Sequence, residues 1–266
     1  MDTNTPTEVY DLLILVDATY SMFNYLEALK TSLPKVISIT KVTNSFQRIG
    51  LLAYRDYSEA GRDKDGLLEW SGWYDDGNDA AGDGAATADK DVSVLGNNAK
   101  ASEIASAATL LAMASNLEPI GGGDYPEATK TGLAKAYSVM RDGVTTLILL
   151  YTDAPPHCYS VADKDRGSNY HAEQAALSNK PSYGGLGNHF ADWVAAAKQL
   201  HNGPRKGIVF CFLDESLGTK PLNSGYYTYL STITRGACFC TQIPRYKVLC
   251  PCSEIERVSY FVFPIL

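Results

Sequence analysis

The chain has 266 residues, 45% of them hydrophobic, and a formal net charge of -7. That apolar content can bury a large core, either as one α/β domain with insertions or as two small ones, and one domain is favoured here. The acidic balance, without clusters of Lys and Arg, argues against nucleic acid as a partner, whereas acidic loops suit a divalent cation.

The N-terminal stretch MDTNTPTEVYDLL has no basic region and too short an apolar run for a signal peptide. No later run approaches the roughly 18 apolar residues that span a bilayer, so no membrane insertion is expected. Asn-X-Ser/Thr acceptor sites are absent, and a cytoplasmic location is the expectation. In that compartment the six cysteines read as thiols or metal ligands rather than disulfides.

Taken in chain order, strand-like apolar runs fall at Leu12 to Val16, Ile49 to Tyr54, Thr146 to Tyr151 and Gly207 to Leu213, with helical patterns between them. This alternation predicts a doubly wound α/β fold, a mostly parallel sheet with helices on both faces. Leu67 to Tyr74 (LLEWSGWY) follows the second run after a short polar connection and is expected as an antiparallel strand at a sheet edge. Apolar residues at three-and-four spacing predict helices over Ser21 to about Thr40, Asn98 to Leu117, Pro126 to Met140 and Leu186 to His201, with Pro34 kinking or splitting the first. Asp75 to Asp91 (DDGNDAAGDGAATADKD) and Asp153 to Gly187 read as long loops. The first is rich in Asp and Asn, but its spacing does not fit a calcium loop.

Three strand or loop ends carry candidate chemistry. The first run stops in Asp17, followed by Thr19 and Ser21, and the TLILLYTD run stops in Asp153. Between them Gly121-Gly122-Gly123-Asp124-Tyr125-Pro126-Glu127 opens a helix. Each acid or hydroxyl alone is a good N-cap. A phosphate cradle is disfavoured because the Gly-Lys-Ser/Thr entry of a P-loop is missing and Asp124 with Glu127 would repel phosphate. Parallel sheets gather their strand ends at one edge. The hydroxyls of Thr19 and Ser21, with Asp17, Asp153 and Glu127 or Asp124, then suit Mg²⁺ or Mn²⁺, with Ca²⁺ as an alternative. Neutral hydroxyl ligands leave charge on the ion and favour an incoming carboxylate.

Asp17-Ala18-Thr19-Tyr20-Ser21 after an apolar strand resembles the Asp-X-Ser/Thr-X-Ser motif of von Willebrand factor A domains, the first part of their metal-ion-dependent adhesion site. Asp124-Tyr125-Pro126-Glu127 is similar to the Asp-X-Pro-Glu pattern of the beta-type A domains of integrins, and Asp153 in YTDAPPH resembles the aspartate of the last metal loop. GGGDYPEA, TDAPPH and YRDY (Tyr54 to Tyr57) also resemble the A domain of von Willebrand factor A alpha-kinases. Two positions depart from these patterns: Thr19 stands for the first Ser, and Gly122 stands where the beta-type integrin domains carry an asparagine.

The resemblance spans Val9 to Gln242, leaving residues 1–8 as a tail, insertions at about 75–91 and 154–187, and residues 243–266 as an extension. Because FVFPIL ends the chain in an apolar segment, the extension is expected to lead into a further region. The resemblance implies a metal site of Asp17, Thr19, Ser21, Glu127 and Asp153, with Asp124 adjacent. It also implies a protein-interaction module whose partner offers an Asp or Glu, without turnover. The competing readings are a metal-dependent hydrolase, with His157 four residues beyond Asp153, or a non-catalytic part of a larger kinase-like enzyme.

Cys238-X-Cys240 and Cys250-X-Cys252 offer four thiolates to zinc, but their spacing is less typical than Cys-X-X-Cys. Alternatively, alternation along a strand puts Cys238 and Cys240 on one core-facing side. His157, His171 and His189 lie in or just beyond the second long loop and could ligate zinc or act catalytically.

Overall fold

The four apolar runs and the expected edge strand each become a strand, and with a sixth at Cys238–Thr241 they form, among the described residues, a six-stranded sheet in the order β3-β2-β1-β4-β5-β6, numbered along the chain. The computed structural model describes residues 9–57, 67–75, 107–122, 125–158, 168–214 and 221–241. The strands are β1 (Tyr10–Asp17), β2 (Arg48–Tyr54), β3 (Leu68–Asp75), β4 (Thr145–Thr152), β5 (Lys206–Asp214) and β6 (Cys238–Thr241). All neighbours pair parallel except β2 with β3, which pair antiparallel at the edge. The fold is therefore a doubly wound α/β sheet with one antiparallel edge strand.

The helices are α1 (Phe23–Thr43), α2 (Ala107–Asn116), α3 (Thr129–Val139), α4 (Ser168–Ser178), α5 (Trp193–Asn202) and α6 (Pro221–Ile233). Alternate side chains of β1 serve opposite faces, as strand geometry requires. Leu12, Ile14 and Val16 pack with Leu26, Leu33 and Leu110 of α1 and α2. Leu13 and Leu15 pack with Leu133, Ala196 and Leu230 of α3, α5 and α6. Burial on both faces explains why β1 reads as an unbroken apolar run. At the opposite end of β1, buried Asp11 is neutralised by Arg48 and Arg141 at 2.7 and 2.9 Å.

Several expectations are corrected. Helix α1 runs through Pro34 without splitting, preceded by a 3₁₀ turn at Tyr20–Met22. The segment from Asp153 to Gly187 is not one loop, because it contains α4. Its inward face carries Asn169, Glu173 and Leu177, all buried, so it shows little apolar periodicity. Helix α6, rich in Tyr, Thr and Ser, was not anticipated. The stretch expected as a helix from Leu186 is a 3₁₀ turn (Gly187–Phe190), and α5 begins only at Trp193, capped by Asp192 Oδ1 accepting from Ala195 N at 2.8 Å. The tail 1–8, most of the 75–91 insertion and the 243–266 extension lie outside the described residues. Among the described residues no helix is long and apolar enough to cross a membrane.

Candidate metal centre

Strand order reverses between β1 and β4, and in open α/β sheets the crevice at such a point, beyond the carboxyl ends of the strands, is where ligands bind. Asp17, the last residue of β1, is fully buried there. Its Oδ1 accepts from Thr19 N at 2.9 Å and from Thr19 Oγ1 at 2.8 Å. Its Oδ2 accepts from Thr152 Oγ1 at the end of β4, 3.0 Å away. The Thr19 and Ser21 hydroxyl oxygens stand 3.4 Å apart. Thr19 occupies the N-cap position of the 3₁₀ turn, yet its side chain makes no cap hydrogen bond. Its hydroxyl turns back to Asp17 instead, so the capping alternative does not describe Thr19.

The glycine loop is laced to the β1 loop: Ile120 N donates to Ala18 O at 3.0 Å, and Tyr20 N to Gly121 O at 3.3 Å. Gly122 has φ +89°, a conformation costly for other residues. A Cβ there would stand 3.3 Å from Glu127 Oε1 and 3.5 Å from Thr19 Cβ. Glu127 is held from the other side. Its N donates to Pro155 O at 2.9 Å, and its O accepts from His157 N at 3.3 Å, forming a short parallel bridge with Pro156. Because Glu127 is in this bridge, α3 starts at Thr129 rather than at Pro126.

Glu127, Asp17 and Asp153 thus lie near enough to one another to interact electrostatically, with the Thr19 and Ser21 hydroxyls beside them. Burial, aided by the Asp153 charge, pushes the Asp17 carboxyl up from 3.8 to about 7, despite hydrogen bonds from Thr19 and Thr152. Burial and the charges of Asp17, Asp56 and Asp153 push Glu127 up to about 12, with Thr19 opposing. Asp153 is raised by burial and by Asp214, while a hydrogen bond from Ser21 lowers it. Thr19 therefore lies between Asp17 and Glu127, and Ser21 beside Asp153. Glu127 Oε2 and Asp153 Oδ1 are buried with no hydrogen-bond partner among the described residues.

Such a carboxylate cluster with orphaned oxygens fits a divalent cation, which would supply the missing positive charge. Among the described residues no group of three or more His, Cys, Asp and Glu side chains could by itself hold a metal ion. The fit therefore depends on the hydroxyls as donors. Both oxygens of Asp17 already accept hydrogen bonds, which makes it the residue that orients Thr19.

Asp124 lies outside the described residues, as do Cys250 and Cys252. Cys238 packs partly against the core, but Cys240 is exposed, contrary to the expectation that both face inward. Among the described residues β6 is an edge strand, paired with β5. His171 and His189 are exposed on α4 and the 3₁₀ turn. His157 is buried, and its Nε2 stands 2.7 Å from Asp56 Oδ1, while Asn169 Nδ2 donates to Asp56 Oδ2 at 2.6 Å. This Asp56 clamp, which holds α4 and the Glu127 loop together, was missed as a unit. Its signal was the pair of segments YRDY and TDAPPH.

No known family model matches the chain. It is 28% identical over 228 residues to the "Putative ariadne-like RING finger protein" of Acanthamoeba polyphaga mimivirus, a match covering 86% of this chain and 18% of the viral protein. The chain thus spans under a fifth of that relative's length. Among solved structures it resembles two crystal structures of the pilus adhesin SpaC from Lactobacillus rhamnosus GG, one in an open conformation. Each has a TM-score of 0.50 and 14% identity, and each match covers 89% of this chain and 28% of the adhesin. At that identity the likeness describes the fold.

Proposed function

We propose that the chain is a von Willebrand factor A-like, divalent-cation-dependent protein-interaction module that recognises an Asp or Glu of its partner by ligation, without turnover. The observation that carries this reading is the placement of the Thr19 and Ser21 hydroxyls between buried Asp17 and two carboxylates, Glu127 and Asp153, each with an orphaned oxygen. Thr19, Ser21, Glu127 and Asp153 would hold Mg²⁺ or Mn²⁺, with Asp17 fixing Thr19. When bound, the ion offers a remaining coordination position to an incoming carboxylate. Thr19 donates its proton to Asp17, which leaves its oxygen lone pairs available to a metal.

The hydrolase alternative draws no support from the geometry. His157, its nearest candidate base, is buried against Asp56.

The test is calorimetry of Mg²⁺ and Mn²⁺ binding to the wild type, Ser21→Ala and Asp17→Ala, with circular dichroism to check folding. Saturable binding that weakens in Ser21→Ala at unchanged stability supports the reading. A folded wild type that binds neither ion overturns it.

A further inference from the structure

Among the described residues eight large apolar side chains are exposed, and three of them border the proposed metal centre: Tyr20 (75% exposed), Phe23 (52%) and Ile120 (54%). The backbone places them there. In the turn after Asp17, Met22 is buried in the core, and the Phe23 N–H bonds to Tyr20 O. Residues three apart eclipse in a 3₁₀ turn, so Tyr20 and Phe23 stand side by side on its outer face, flanking Ser21. Ile120 lies across the site, tied to the same loop by Ile120 N to Ala18 O and Tyr20 N to Gly121 O. Beside it, a Cβ on Gly121 would meet no atom of the described residues within 4 Å.

Resting on the metal-centre reading, we infer that Tyr20, Phe23 and Ile120 form an apolar collar selecting a partner segment with a single Asp or Glu flanked by large apolar side chains, rather than an acidic run. Charge and apolarity point to the same occupant. The charged groups that act on Asp17, Glu127 and Asp153 include Asp56 and Asp214, all of one sign. One carboxylate is satisfied by the cation, whereas further acids beside it meet the like charges of Asp56 and Asp214. Apolar neighbours instead cover the three exposed rings and chains, removing them from water. Aromatic anchors beside a desolvated polar contact are also the usual composition of a binding hot spot.

The test pans a phage-displayed library of random linear peptides on the Mg²⁺-loaded full chain, with elution by EDTA. Enriched peptides are then titrated against the wild type and the Tyr20→Ser, Phe23→Ser, Ile120→Ser triple variant, with Mn²⁺ affinity measured on both. The expected result is enrichment of an isolated Asp or Glu with apolar residues within two positions. Peptide affinity should fall about tenfold or more in the variant while Mn²⁺ affinity is unchanged. Several results overturn the collar while leaving the metal reading intact: acidic runs enriched instead, equal affinity for both proteins, or no EDTA-eluted peptides from a metal-binding protein. A variant that loses Mn²⁺ affinity equally assigns these side chains to the site's shape and also overturns the collar. A wild type that binds no Mn²⁺ removes the underlying reading, and the collar with it.

Discussion

Consider the metal-free protein as pH rises from about 5 to about 8. In the unfolded chain the Asp17 carboxyl ionises near 3.8, but in the fold only near 7, because burial and Asp153 disfavour its charge. Between those values the folded state keeps a proton that the unfolded state has lost, so the Asp17 contribution to stability falls as pH rises and is fully lost above about 7. At 1.36 kcal/mol per pH unit the Asp17 contribution is about 4 kcal/mol over its full window. For a chain of this size that is roughly 10 °C in Tm. Glu127 and Asp153 are shifted in the same direction and steepen the trend. A cation reverses it by favouring the ionised carboxyls, and at a hundredfold excess over its Kd adds about 2.7 kcal/mol. Asp17→Asn separates the two effects. The amide oxygen can still accept from Thr19, and Thr152 Oγ1 can turn its proton to Ala154 O, 3.2 Å away. In EDTA at about pH 8 this variant should melt above the wild type, with a flatter pH dependence, and gain less from Mg²⁺ because the negative charge beside the ion is gone. The assay is thermal unfolding followed by circular dichroism at several pH values, with EDTA or Mg²⁺. A metal-free Tm that rises with pH over this range, or an Asp17→Asn protein stabilised by Mg²⁺ as much as the wild type, refutes the reasoning.

Three further perturbations have defined outcomes. Glu173→Ala removes the acceptor of Thr131 N and Oγ1 and leaves the buried Lys130 ammonium without its carboxylate at 3.4 Å. Urea unfolding should show a loss of about 3–5 kcal/mol. Gly236→Ala drives a Cβ into the Val209 carbonyl, where backbone cannot yield. A loss of about 3 kcal/mol or more is expected by the same assay. Gly122→Ala should weaken Mn²⁺ binding in calorimetry, and Thr19→Ser in the same chain should recover part of the loss.

The legible part of the fold was the part governed by apolar periodicity. β1 and β2 are buried on both sides, β4 and β5 alternate buried with partly buried apolar residues, and β3 is recognisable by its aromatic residues beside β2. What escaped is polar on its inner side. Helix α4 turns Asn169 and Glu173 inward to meet Asp56, Thr131 and Lys130, so no hydrophobic stripe marks it. Helix α6 buries Tyr227 and Leu230 among Tyr and Thr residues with weak helix preference. At the site, residues close in sequence could be grouped from spacing alone. Thr152 could not, because its link to Asp17 crosses 135 positions and depends on the β1–β4 register. The Asp56 clamp depends likewise on which loops the topology brings together.

The two positions where the chain departs from the resembled motifs, Thr19 and Gly122, meet in space. A Cβ at residue 122 would lie 3.5 Å from Thr19 Cβ and 3.9 Å from its Cγ2, with Glu127 Oε1 on its other side at 3.3 Å. The last distance is tighter than ordinary contact, and the positive φ of Gly122 adds backbone strain to any side chain there. An extra atom at 122 must therefore displace Glu127 or push against Thr19, and both are proposed to hold the ion. Removing the Thr19 methyl opens space on only one of these sides and leaves the strain untouched, which is why Thr19→Ser should recover part of the Gly122→Ala loss rather than all of it. The methyl at 19 thus closes the side toward which a Cβ at 122 would move to relieve its contact with Glu127, so the two positions are coupled through Glu127.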